Sequence, residues 1–207
     1  MYRTVALIYL SYICSHASTE PIPKSLPVPA FPLRDGMKHV YNFKVTGLAG
    51  VKDTEIEYST LCNKTKEDDK GKYFDVEINL SKNADSKIVR KYFVSNDNKT
   101  FVFENNDRFE YPHISKLKVE SKIMMPIFSS KGTIKLEATI HAHEDLECNK
   151  ISYRTTKYSV SNEPEIGNVY KSTIWMTDGT GPGIVKQISE QMGVTIETKL
   201  KDYTPGK

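Results

Sequence analysis

From residue 37 to about residue 176 the apolar side chains recur at every second position, which dictates an extended backbone. Only a β-strand sends residues i, i+2 and i+4 to one face. Lys38 to Leu48 places Tyr41, Phe43 and Val45 on one side, and Glu55 to Leu61 sets Ile56, Tyr58 and Thr60 against Glu55 and Glu57. After a charged turn over Asn63–Lys72, Phe74, Val76, Ile78 and Leu80 alternate with Asp75, Glu77 and Asn79. Ile88–Val94 and Thr100–Phe103 flank the turn Ser95-Asn96-Asp97-Asn98. A long hairpin follows, with Leu117, Val119, Ser121, Ile123, Met125 and Ile127 along one arm. Ser129-Ser130-Lys131-Gly132 turns it, and Ile134, Leu136, Ala138, Ile140 and Ala142 line the returning arm. Ile151–Val160 and Val169–Met176 complete the strands. Hairpin arms well beyond the usual ~5–6 residues predict an extended or strongly coiled sheet.

The period then changes. Ile184, Ile188, Met192, Ile196 and Leu200 recur every fourth residue, behind Thr180 as an N-cap with Pro182 in the first turn. This spacing predicts a helix over about 183–202, with Lys186, Glu190, Glu197 and Lys201 on its polar face. Gly193 and the β-branched run Val194-Thr195-Ile196 weaken it, the glycine by ~1 kcal/mol against alanine. The expected fold class is α+β: a long, curved antiparallel β-sheet packed around a C-terminal α-helix, in one domain over 37–207.

Ahead of that domain, Met1-Tyr2-Arg3, the apolar run Val5–Cys14 and the small-residue exit Ser15-His16-Ala17 have the build of a secretory signal peptide over 1–17. Its apolar run is too short to span ~30 Å of hydrocarbon. Residues 18–36 form a Pro-rich extended arm, whose prolines bar it from a helix interior or a central strand. The chain is therefore expected to be secreted and extracellular, with no stable membrane anchor.

Export bears on the cysteines and the asparagines. Of three cysteines, Cys14 leaves with the signal, so Cys62 and Cys148 are expected to form a disulfide. Two cysteines without a CxxC do not make a zinc site. Asn63-Lys64-Thr65, Asn79-Leu80-Ser81 and Asn98-Lys99-Thr100 are glycosylation sequons, making Asn63, Asn79 and Asn98 candidate acceptors. The charge is +3 and well mixed, without a Lys/Arg block or interleaved aromatics, which argues against a nucleic-acid partner.

Catalytic motifs are missing: no nucleophile elbow, P-loop, HExxH or dinucleotide fingerprint occurs, and no cofactor is expected. Gly179-Thr180-Gly181-Pro182-Gly183 reads as an ordinary turn rather than a phosphate cradle. His141 and His143, two apart on a strand, point the same way and with Asp145 could chelate a metal, while Glu144 faces away. The alternation that turns Ile140 and Ala142 inward also turns these histidines to water, which is the plainer reading. The chain is expected not to be an enzyme.

Asn42-Phe43-Lys44-Val45-Thr46-Gly47-Leu48 resembles the "v-x-V-x-G-L" strand of the takeout / haemolymph juvenile-hormone-binding family. Ile114–Ser121 and Met124–Ile134 are similar to that family's long hairpin, and Leu26–Leu33 to its proline-rich start. The family's hairpin Gly and Tyr are replaced around Ser121–Ile123, and its N-terminal helix with a cysteine pair is missing, so its disulfide does not carry over. The resemblance implies a tubular lipid-binding fold with an apolar tunnel for a terpenoid, fatty acid or similar lipid; the related group-7 mite allergens imply the same.

Residues and resemblance together lead to a carrier of a small hydrophobic ligand. Phe43, Val45, Val76, Ile78, Val119, Met125, Leu136, Ile140, Ile188 and Met192 are the expected lining, Met125 and Met192 because thioethers adapt to varied ligands. The alternative is a secreted glycoprotein with a filled core, an immune or host-directed effector acting through protein contacts.

Overall fold

The computed structural model describes residues 33–47, 53–80, 87–97, 99–104, 107–112, 114, 117–129, 132–162, 170–177, 181–191 and 193–207. The described residues form twelve strands: β1 (Lys38–Thr46), β2 (Thr54–Asp68), β3 (Gly71–Leu80), β4 (Lys87–Ser95), β5 (Thr100–Glu104), β6 (Asp107–Tyr111), β7 (Lys122–Ser129), β8 (Gly132–Cys148), β9 (Ile151–Ser161), β10 (Tyr170–Met176), β11 (Ile184–Gln191) and β12 (Val194–Thr204). All belong to one antiparallel sheet in the order β6-β5-β4-β3-β2-β1-β12-β11-β10-β9-β8-β7. Sequence neighbours are sheet neighbours except at β1–β12, where the first and last strands pair, and at the edges β6 and β7. Those edges approach one another, so the sheet curls into a nearly closed barrel.

The α+β expectation is therefore corrected: no helix occurs among the described residues, and 183–202 forms the hairpin of β11 and β12. A helical stripe also needs apolar residues at i+3 and i+7. From Ile184 those positions are Gln187 and Gln191. Three of the five stripe residues are β-branched isoleucines, which favour strand. Gly193 takes φ +77, a turn conformation rather than a helical one. The helix-wrapped fold implied by the takeout resemblance falls with it. The charged turn expected over Asn63–Lys72 is mostly strand, since β2 runs on to Asp68 and only Asp69-Lys70 turns. Strand β6, rich in charge, carried too little alternation to be anticipated.

Alternation on the other strands holds between β-bulges in β1, β2, β8 and β10, but 117–121, expected as the start of the long arm, lies ahead of β7. Tyr41 faces Tyr58, Phe43 faces Ile56, and Phe74 faces Tyr92, with Tyr92 opposite Val102. These residues, with Val76, Met125, Leu136, Ala138, Ile140, Tyr158 and Val160, turn inward. Among the described residues these side chains pack on one another and are buried. An aromatic column rises through it: Tyr203 on His39 (ring centroids 5.2 Å), His39 on Tyr41 (5.8 Å), Tyr41 on Tyr58 (5.1 Å), and Phe43 edge-on to Tyr58 (6.4 Å). Polar groups on this inner face are bonded to one another: Gln187 Nε2 donates to Ser172 Oγ (3.1 Å) and Ser189 Oγ (3.0 Å), and the two serines lie 3.0 Å apart.

The β8–β9 hairpin turns through Asn149 (φ 51) and Lys150 (φ 66), the two left-handed residues of a tight two-residue loop. Its tip reaches β12, where Cys148 Sγ donates to the Leu200 carbonyl (2.7 Å) and Asn149 Nδ2 to that of Lys201. Cys62 is buried in a different cluster, on β2. Both thiols are free, so the expected Cys62–Cys148 disulfide is not formed.

Candidate functional site

A cavity of about 460 Å³ opens at the end of the barrel where β3 begins and β4 ends. Its lining falls into two chemical sets. Leu33, Phe74 and Val94, all buried, supply an apolar floor. Arg34, Asp35, Lys64, Lys72 and Lys207 supply a charged rim with Ser95 and Asn96.

Strand register explains this layering. Lys64 pairs with Phe74 and Lys72 with Val94, so both lysines share the inward face with the floor residues. They sit at its margin, where a long stem lies along apolar surface and the ammonium reaches water. The chain end is drawn in as well: Lys207 N donates to the Asp35 carbonyl (2.8 Å), and Gly36 N to that of Cys62 (2.8 Å). Gly206 takes φ +73, and a Cβ there would lie 2.6 Å from the Asp35 oxygen.

Charges at the rim are unequally matched. Asp35 Oδ1 accepts from Lys64 N (2.7 Å). Glu67 takes Lys64 Nζ at 2.9 Å and holds Lys72 Nζ at 4.0 Å, and this carboxylate raises the Lys64 pKa above its ordinary value. No ion pair reaches Arg34 among the described residues.

Of the ten residues expected to line a tunnel, the nine that are described do not line this cavity. Val76, Ile78, Met125, Leu136 and Ile140 are buried in the core, and Phe43 packs beside it. Val45 is half-buried on the same inward face, opposite Ile196. Ile188 points outward between the buried Gln187 and Ser189, Val119 is 47 % exposed, and Met192 lies outside the described residues. The cavity draws on residues 33–35, 64, 72, 74, 94–96 and 207, which no local pattern links; the one hint was Lys64 and Lys72 preceding Phe74 in a charged stretch.

The histidine pair does not converge. A β-bulge between Ile140 and Ala142 breaks the alternation. His141 Nε2 meets Ser159 Oγ (2.7 Å), whereas His143 sits between Thr156 Oγ1 (3.0 Å) and the Leu117 carbonyl (2.8 Å). Ser159 and Thr156 are three apart on β9, so the rings lie on opposite faces. No group of three metal-ligating side chains occurs among the described residues.

Asn63 and Asn79 lie in strands, opposite Asp75 and Ser59 on the outer face; the turn expected around Asn63 is absent, and Asn98 lies outside the described residues. The signal peptide and most of the proline-rich arm also lie outside them.

No protein family model and no curated protein matches this chain. Among solved structures it is similar to a lipoprotein-like protein of Parabacteroides distasonis (12% identity, TM-score 0.49, 84% of this chain and 97% of that one). It is similar also to LprF of Mycobacterium bovis (12% identity, TM-score 0.30, 82% and 89%). A third is a DUF1329 family protein of Desulfovibrio piger (9% identity, TM-score 0.30, 82% and 85%). The takeout resemblance is corrected by the fold itself, which has twelve strands and no helix among the described residues.

Proposed function

We propose that this chain is an exported carrier that takes a small hydrophobic ligand into the cavity at the barrel mouth and acts by binding alone. The observation that carries this reading is the cavity itself: about 460 Å³, floored by Leu33, Phe74 and Val94, on a barrel whose described core side chains pack on one another. That volume falls within the ~300–1,000 Å³ of ordinary ligand sites. A mouth site needs no hollow tunnel, so the stacked aromatic column supports a rigid seat for the ligand rather than opposing one. Export rests on the signal-like residues 1–17. Glycans at Asn63 and Asn79 would project from the outer wall and leave the mouth clear.

Uptake of a dansyl-labelled fatty acid by the purified protein tests this. Val94→Phe should fill the floor and abolish uptake; the unfolding midpoint should fall with the ~1–3 kcal/mol of overpacking while far-UV circular dichroism shows the barrel intact. A wild-type protein that takes up no probe would sink the reading.

One observation favours a second reading, a secreted interaction protein. On the outer side half-buried Tyr73 and Phe101 lie 4.8 and 6.0 Å from a buried Phe93, with the exposed Arg108 guanidinium 3.5 Å from the Phe101 centroid. Aromatic–arginine surfaces of this kind are common in protein contacts.

A further inference from the structure

We infer that the ligand of this cavity carries an anionic head, held at the rim by Arg34, Lys64 and Lys72, above an apolar chain that lies on Leu33, Phe74 and Val94. The inference rests on the carrier reading and sharpens it to a single-chain acid.

Three cationic side chains and one carboxylate, Asp35, stand among residues 33–72 of the lining. The Asp35 carboxylate is already engaged by Lys64 N. Glu67, outside the lining, serves two lysines at once and reaches Lys72 only at 4.0 Å. Arg34 has no acidic partner among the described residues. Three cations thus stand against two carboxylates, Asp35 and Glu67, and positive charge exceeds negative charge at the rim by one, that of the guanidinium.

A neutral ligand would gain nothing from that excess. A carboxylate or phosphate head would accept from Arg34, whose planar fork matches either group. The apolar chain would then fill the cavity above Leu33, Phe74 and Val94 and leave water. Register makes the two interactions compatible, because Lys64 and Phe74 are cross-strand partners, as are Lys72 and Val94, so head and chain contacts stack along the same two strands. A cationic amphiphile would face the same charges with the wrong sign.

The test is displacement of Nile red, a neutral dye, at pH 7.5. The competitors are palmitic acid, lysophosphatidic acid and hexadecanol. Against wild-type protein at least one acid should displace the dye about tenfold better than the alcohol, the worth of one charge-assisted hydrogen bond. Raising the salt from 0.05 to 0.5 M should narrow that gap. Arg34→Gln/Lys72→Gln should bring the acids down to the level of the alcohol, while Lys91→Gln, on the outer face, should leave the preference intact. Which acid wins tells a carboxylate head from a phosphate head. Equal displacement by acids and alcohol in the wild type would overturn the anionic head and leave the carrier standing. If neither dye nor competitor binds, the carrier reading fails and this inference with it.

Discussion

The His39 ring stacks on Tyr203 at 5.2 Å, holding an ionisable group in the middle of the barrel's aromatic column. Its Nδ1 lies 2.8 Å from Thr60 Oγ1, and Nε2 faces the Pro182 carbonyl without a well-aligned bond. Burial lowers its pKa from 6.5 to about 4, the Pro182 carbonyl pulling weakly the other way. An unfolded chain takes up that proton near pH 6.5, the folded barrel only near pH 4. Stability should therefore be full above pH 6.5, fall as the pH drops towards 4, and level off below it. The loss from this one group is roughly 3 kcal/mol. Urea midpoints at pH 7.5 and 4.5 measure it, and His39→Gln should flatten the difference.

Burial at Cys62 works on the thiol in the same way, pushing its pKa up to about 12. Burial also raises Cys148, which donates to the Leu200 carbonyl. Neither should react with a maleimide in the native protein at pH 7.5, and both should react in urea. Reductant should leave the unfolding midpoint where it was. A midpoint that falls with reductant would mean a bridge exists after all.

How far the sequence reached is clearest in these strands. Tyr41, Phe43, Val76 and Ile140 were legible as inward because a period of two states facing directly. Whether the facing rings would touch or leave a tunnel was not, since it depends on barrel curvature and on closure by β6 and β7. The C-terminal error has a definite source. Ile184, Ile196 and Leu200 turn inward and Ile188 outward, so a stripe spaced by four hid a strand, a turn and another strand. The cavity was illegible because Leu33, Lys64, Val94 and Lys207 meet only through sheet order.

At the opposite end, Gly47 and Gly193 sit against one another. Gly47 takes φ +86, and a Cβ there would stand 2.5 Å from the Gly193 oxygen. Gly193 takes φ +77, with open space where its Cβ would go. Both substitutions pay for a left-handed backbone, ~1–2 kcal/mol, but only Gly47→Ala adds a clash with backbone. Thermal unfolding should rank Gly47→Ala clearly below Gly193→Ala, and equal losses would contradict this contact.

The buried Gln187, Ser172 and Ser189 give the sharpest test of the inner wall. The Gln187 amide spends its donors on two serine oxygens, and the serines also meet one another. Removing both hydroxyls leaves a buried amide facing methyl groups, and an orphaned buried polar group costs ~1–3 kcal/mol. Ser172→Ala/Ser189→Ala should therefore lose about that much. Adding Gln187→Leu removes the orphan at nearly constant volume, so the triple variant should regain most of the loss although it carries one more substitution. Urea unfolding of the wild type, double and triple decides it. If each change simply adds to the damage, the three side chains are not acting as one network.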